Sequence, residues 1–275
     1  EALKCFKQMQ EEGISPNTIT LICAMKACSV TGSIEVGREI EDQIRKQGLL
    51  QTDIAVGTTL VDMYAKCGSL EKAQEVFHEL PMQNVISWTA LIAGYARHGL
   101  GEEALNCFMR MQDEGLVPDA ITFVCMLKAC GHVGCLKMGE EIHGEIKKRE
   151  LLRENIILGT ALVGMYAKCK VPEKAQKVFD ELCCRDVVSW TALTSAYLEY
   201  GLAEEASKYF QNMQMEGIPL DVISCNAGIL IYAEKEENET CKHIYMQMQE
   251  QGILPNKNTF ASLLKSVGND SALRS

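Results

Sequence analysis

Few side chains in this 275-residue chain have a type and spacing that suggest reaction chemistry. His143-Gly144-Glu145 has the His-x-Glu order in which a histidine binds zinc and a glutamate shuttles the proton of a zinc-activated water. That chemistry needs two more ligands from a Pro-Cys-x-x-Cys run, and none follows; Cys183 and Cys184 are adjacent. At the equivalent place 102 positions earlier the residues are Glu41-Asp42-Gln43, without the histidine. Thirteen cysteines are many, but the number is odd, and Cys125, Cys130 and Cys135 are five apart. Cys28, Cys67, Cys130 and Cys169 sit in apolar words (KAC, AKC) and read as reduced packing residues. No Walker loop, Gly-x-Ser-x-Gly elbow or His-Glu-x-x-His pair is present. The sequence supports no catalytic centre, no metal site and no cofactor.

The elements that would position any site come from self-similarity. EALKCF (1–6) returns as EALNCF (103–108), ITLICAMKAC (19–28) as ITFVCMLKAC (121–130), MYAKC (63–67) at 165–169 and SWTAL (87–91) at 189–193, always 102 residues on. Breaker-rich loops such as GISPN (13–17), GLVPD (115–119), GIPLD (217–221) and GILPN (252–256) subdivide that super-repeat. The expected units are 1–17 (partial), 18–53, 54–84, 85–119, 120–155, 156–186, 187–221, 222–256 and 257–275 (partial). Full units thus run 36, 31 and 35 residues in turn, ending with a further 35.

Each unit reads as two helices. In 85–119, Ile86, Leu91, Ile92 and Tyr95 recur at helical spacing, His98-Gly99-Leu100 breaks the run, and Leu105, Phe108, Met109 and Met111 form a second stripe. Glu102 and Glu103 suit that helix's N-terminus and Gly115 its C-terminal end. One hairpin cannot bury both stripes, but stacked hairpins can. The expected fold is all-α: a single α-solenoid superhelix of stacked helix-turn-helix repeats over 1–275.

The formal charge of −10 argues at first against nucleic acid. It is unevenly spread. The predicted first helices carry Lys26, Lys66, Arg97, Lys128, Lys168 and Lys235 against Asp62, Glu199 and Glu234, while acids crowd the second helices, as at Glu140-Glu141 and Glu204-Glu205. No apolar run is long enough to span a membrane, and no N-terminal targeting segment is recognised in the sequence. Trp88 and Trp190, at equivalent positions, read as packing anchors.

SWTALIAGYARHGLGEEALNCFMRMQDEGLVPD (87–119) resembles the pentatricopeptide repeat, and LVDMYAKCGSLEKAQEVFHELPMQNV (60–85) resembles its short variant. The 35/36/31 alternation is similar to the standard-long-short (PLS) subclass of land-plant organelles; tetratricopeptide arrays keep a uniform 34. The resemblance implies binding of single-stranded RNA, one base per unit, on the surface lined by first helices. It implies that the fifth and last residues of a unit choose the base: Thr58 with Asn84, Thr89 with Asp119, Thr160 with Asp186, Thr191 with Asp221, and Asn226 with Asn256. In the 36-residue units and the C-terminal fragment the fifth residue is Ile22, Val124 or Ala261, which cannot hydrogen-bond a base. The second residues, Ala55, Ile86, Ile157, Val188 and Ile223, would wedge against bases. The thirteenth, Lys66, Arg97 and Lys168, would meet phosphate; Glu199 and Glu234 depart from that pattern.

Aspartate accepts only, which suits the N–H edges of guanine and uracil, whereas asparagine both donates and accepts, which suits adenine and cytosine. With threonine selecting purines and asparagine pyrimidines, as the resemblance implies, the target becomes 5′-NAGNGGY-3′. The terminal Asp or Asn is also a natural N-cap for the next helix. The resemblance further implies the recognition part of an RNA-editing or RNA-processing factor of mitochondrion or chloroplast. Catalysis would come from a deaminase domain in cis, beyond this chain, or in trans, and MORF/RIP-type editing proteins are expected partners. The alternative is a tetratricopeptide-like protein- or peptide-binding scaffold.

Overall fold

The computed structural model describes residues 1–152 and 155–272, with the side chains of the last helix through Ser266; the expected final fragment 257–275 lies partly outside the described residues. Among the described residues all regular structure is helical. The chain forms two compact units, Glu1–Val133 and Gly134–Ser275.

The first unit holds α1 (Ala2–Glu11), α2 (Thr18–Thr31), α3 (Ile34–Lys46), α4 (Leu49–Thr52), α5 (Ile54–Lys66), α6 (Leu70–Glu79), α7 (Val85–Arg97), α8 (Gly101–Asp113) and α9 (Ala120–Val133). Here α2, α5, α7 and α9 pack in succession, and α3, α6 and α8 each pack against the helix that precedes them. The second unit holds α10 (Leu136–Lys148), α11 (Ile156–Lys168), α12 (Pro172–Glu181), α13 (Val187–Glu199), α14 (Ala203–Met215), α15 (Val222–Glu234), α16 (Asn238–Glu250) and α17 (Lys257–Ala272). There α11, α13, α15 and α17 form the succession. This is the helical-hairpin solenoid architecture.

The punctuation follows local chemistry. Gly115 adopts φ 74°, a left-handed conformation open to glycine at little cost, and the Leu116 N–H turns back to the Met111 carbonyl to close α8. The stretch 18–53 differs from a plain hairpin. Gly48 ends α3 in the left-handed region, and the extra residues make the one-turn α4, whose Leu50 is buried.

Aromatic anchors recur in the core. Phe77 meets Trp88 edge-on at 4.6 Å, and Phe179 meets Trp190 at 4.7 Å; both tryptophans are buried. The Trp88 indole N–H donates to Glu114 at 2.9 Å, and Arg110 lies over the same ring. No helix among the described residues is long and apolar enough to cross a membrane.

Candidate nucleic-acid interface

Four positions of each unit's first helix fall on one stripe, because residues spaced i, i+3, i+7 and i+11 return to the same helical face. In α7 these are Ile86, Thr89, Ala93 and Arg97; in α11 they are Ile157, Thr160, Gly164 and Lys168. The expected wedging, base-selecting and phosphate residues therefore share a face.

Ile86, Ile157, Val188 and Ile223 are each more than half exposed on otherwise apolar helices, and Ala55 is exposed too. Ile19 and Ile121 stand at the same register in α2 and α9 and are equally exposed. Sequence reasoning passed over these two because their units have an apolar fifth residue. The signal was present in the shared second position.

The terminal residue of every full unit caps the helix that follows. Asn84 Oδ1 accepts from Ser87 N, Asp119 Oδ1 from Thr122 N, Asp186 Oδ1 from Ser189 N, Asp221 Oδ1 from Ser224 N and Asn256 Oδ1 from Thr259 N, all between 2.8 and 3.1 Å. In each case one atom is engaged. Among the described residues, Oδ2 of the three aspartates and Nδ2 of the two asparagines have no hydrogen-bond partner. Asp53 and Asn155 cap α5 and α11 in the same manner, although their units have an apolar fifth residue. The cap is common to all units; the polar fifth residue is not.

In two units the fifth and last residues, remote in sequence, touch directly. Thr160 Oγ1 donates to Asp186 Oδ1 at 3.4 Å, and Asn226 Nδ2 donates to Asn256 Oδ1 at 3.2 Å. Thr89 reaches Asp119 through the Thr122 hydroxyl. Thr191 turns instead to the Val187 carbonyl. The buried hydroxyl of Thr58 has no partner, a state that costs about 1–3 kcal/mol.

The thirteenth residues differ. Arg97 and Lys168 are exposed and form no ion pair among the described residues, whereas the Lys66 ammonium is held by Asp62 at 2.6 Å. Lys235 is drawn to Glu204 and Glu237, so it adds little free charge to its face. Glu234 pairs with Lys265 at 2.9 Å.

The His143 ring Nδ1 lies 2.9 Å from the Tyr166 hydroxyl. Burial holds this imidazole below the usual histidine range, with Lys147 nearby adding to the effect. It borders a cavity of about 370 Å³ that Glu140, Lys147, Lys174 and Glu181 also line. No three His, Cys, Asp or Glu side chains gather as a metal site among the described residues. Burial pushes the Cys28, Cys107 and Cys225 thiols up to about 11, where little nucleophilic thiolate exists.

Comparison with known proteins agrees with this architecture. Residues 58–85, 121–151, 160–187 and 188–218 match the PPR repeat, 83–132 the PPR repeat family and 208–270 the pentatricopeptide repeat domain. The chain is 36% identical to a chloroplastic pentatricopeptide repeat-containing protein of Arabidopsis thaliana, over 86% of this chain and 38% of that one. It is 34% identical to a putative mitochondrial one from the same plant, over 80% and 35%. It thus spans less than half the length of these relatives. The pentatricopeptide repeat protein PPR10 from maize shares the fold, with TM-score 0.70 at 19% identity over 96% of this chain and 43% of that one. PPR10 in complex with an 18-nucleotide psaJ RNA element matches with TM-score 0.56 at 18% identity, over 96% and 45%. The chain belongs to the pentatricopeptide repeat family.

Proposed function

We propose that this chain binds single-stranded RNA in a sequence-specific way, one base per unit, as the recognition part of an organellar RNA-editing or RNA-processing factor. The observation that carries the reading is the division of labour in the terminal residue. Oδ1 holds the next helix, so the second atom is left to face a ligand. That atom is an acceptor in Asp119, Asp186 and Asp221 and a donor in Asn84 and Asn256. The polar fifth residue touches the capping residue in the units 156–186 and 222–256 and reaches it through Thr122 in 85–119; the units 54–84 and 187–221 carry the same residue types.

In this reading Thr58/Asn84 takes adenine, Thr89/Asp119, Thr160/Asp186 and Thr191/Asp221 take guanine, and Asn226/Asn256 takes a pyrimidine. The units 18–53 and 120–155 pass over a base, giving 5′-NAGNGGY-3′. Exposed Ile86, Ile157, Val188 and Ile223, with the smaller Ala55, separate successive bases, and Arg97 and Lys168 neutralise phosphates. Lys66 contributes less because Asp62 shares its charge. The organellar assignment rests on relatives named chloroplastic or mitochondrial. A deaminase domain in cis or in trans and MORF/RIP-type proteins complete the proposed assembly.

The test is binding of RNA containing AGNGGY against a scrambled RNA of the same composition, at fixed salt. The reading expects clear preference for the ordered sequence; equal weak binding of both would overturn it.

A further inference from the structure

Thr122 is the third residue of a unit whose own fifth residue, Val124, offers a base nothing, yet its hydroxyl serves the preceding unit. The Thr89 and Thr122 hydroxyl oxygens are 2.7 Å apart, and Thr122 Oγ1 donates to Asp119 Oδ1 at 2.8 Å. Since Thr122 gives its proton to the carboxylate, Thr89 is the donor between the two hydroxyls. Thr259 makes the corresponding link to its preceding unit with the proton running the other way, from the third residue to the fifth. Fully buried like Thr122, it donates to Asn226 Oδ1 at 2.7 Å and lies 3.3 Å from Asn256 Oδ1.

Where the third residue is serine, this tie is missing. Ser87 and Ser189 donate to the backbone carbonyls of Asn84 and Asp186, and Ser224 turns to Asp221 alone. Thr58 is then left without a partner, Thr160 makes a 3.4 Å contact, and Thr191 bonds within its own helix. The extra methyl of threonine restricts χ1, whereas a serine hydroxyl can rotate back to the chain.

We propose that Thr122 and Thr259 are positioning residues for base selection by the unit before them. This rests on the reading that the fifth and last residues face RNA. Tied to Thr122, Thr89 presents only lone pairs, beside the acceptor Oδ2 of Asp119. The two together match the N1–H and N2–H donors of guanine and oppose the acceptor N1 of adenine. Tied to Thr259, the Asn226 amide keeps its oxygen inward and one N–H on Asn256 Oδ1, which leaves its second N–H to present. Thr58, untied, can donate or accept and discriminates less.

The test uses Thr122→Val, which keeps the shape and removes the hydroxyl. Binding of the full chain is measured to RNAs carrying guanine or adenine at the base assigned to Thr89/Asp119, and separately at the base assigned to Thr191/Asp221. The guanine preference is expected to fall about fivefold at the first base, the scale of one net hydrogen bond, and to hold at the second. Thr259→Val is the companion variant, with loss of pyrimidine preference expected only at the base assigned to Asn226/Asn256; it carries the test if Thr122→Val does not fold. Unchanged preference at a variant's own base, or an equal fall at both bases, overturns the proposal while leaving the RNA reading intact. A wild-type chain with no preference at either base overturns that reading and this proposal with it.

Discussion

Asn226 and Asn256 stand 30 residues apart and meet amide to amide, Nδ2 of the first donating to Oδ1 of the second at 3.2 Å. The same Oδ1 accepts from the Asn258 and Thr259 backbone N–H groups. One atom thus joins the cap of the next helix to the fifth residue of its own unit, 30 positions earlier. Cap and recognition are inseparable in position but separable by atom.

That separation predicts opposite behaviour of two substitutions at Asp186. Asp186→Ala removes the capping oxygen that Ser189 N uses at 2.8 Å and should cost about 1 kcal/mol in chemical denaturation. Asp186→Asn keeps a capping oxygen and should stay within about 0.5 kcal/mol of wild type. Equal destabilisation by both would show that the second oxygen also supports the fold.

The exposed second positions predict an effect on RNA without an effect on stability. Ile86→Ser and Ile121→Ser alter side chains that already face solvent, so unfolding midpoints should barely move. RNA affinity should fall about tenfold for each, the scale of losing one apolar contact. Ile121 is the more informative, because it belongs to a unit with no polar fifth residue. Full affinity of Ile121→Ser would mean that this unit leaves RNA untouched.

Much of this was legible in the sequence. Gly13, Gly115, Gly217 and Gly252 announce helix ends, and each has the positive φ that breaker-rich loops imply. Helix starts at Ile54, Val85, Ile156, Val187 and Val222 follow directly on the Asp or Asn that caps them. The one-turn α4 was not legible, since Leu49–Thr52 has too few residues to show a period. Nor was the role of Thr122. A threonine three residues into a helix looks like any N-terminal residue until packing brings Thr89, 33 positions earlier, within 2.7 Å. The Lys66–Asp62 pair stands at ordinary i, i+4 spacing, yet spacing alone does not say whether a lysine stays free.

Phosphate contact predicts a graded salt response. Arg97→Gln and Lys168→Gln should each make the negative slope of log K against log salt shallower by about 0.7, the increment for one phosphate of a single strand. Lys66→Gln should change the slope less, because Asp62 already holds that ammonium at 2.6 Å. Titration of binding against salt for the three variants checks the order, and equal slopes would contradict it.

A pH dependence follows from Glu41 in α3. Burial alone would raise its carboxyl, but hydrogen bonds from Tyr64 and Arg45 and the charge of Lys72 outweigh it and hold the group below the usual carboxylate range. Tyr64 donates at 2.5 Å and Arg45 at 2.8 Å. A carboxyl depressed in the folded state contributes stability above its unfolded pKa and loses it as pH falls through the folded value. Glu41→Gln should therefore cost about 2 kcal/mol near neutrality, and the deficit should shrink on acidification. Thermal unfolding of both proteins from pH 7 to pH 3 checks this; a constant gap would assign the loss to shape rather than charge.

The most direct measurement of base reading uses Asp119→Asn. Oδ1 would still accept from Thr122 N, where Asp119 accepts at 2.8 Å, so the fold is kept while the second atom changes from acceptor to donor. Affinities of wild type and variant are compared on RNAs that differ only in guanine or adenine at the base assigned to Thr89/Asp119. The account predicts that wild type prefers guanine and the variant prefers adenine, with preferences at the other bases unmoved. A variant that folds and keeps the wild-type preference at that base would contradict it.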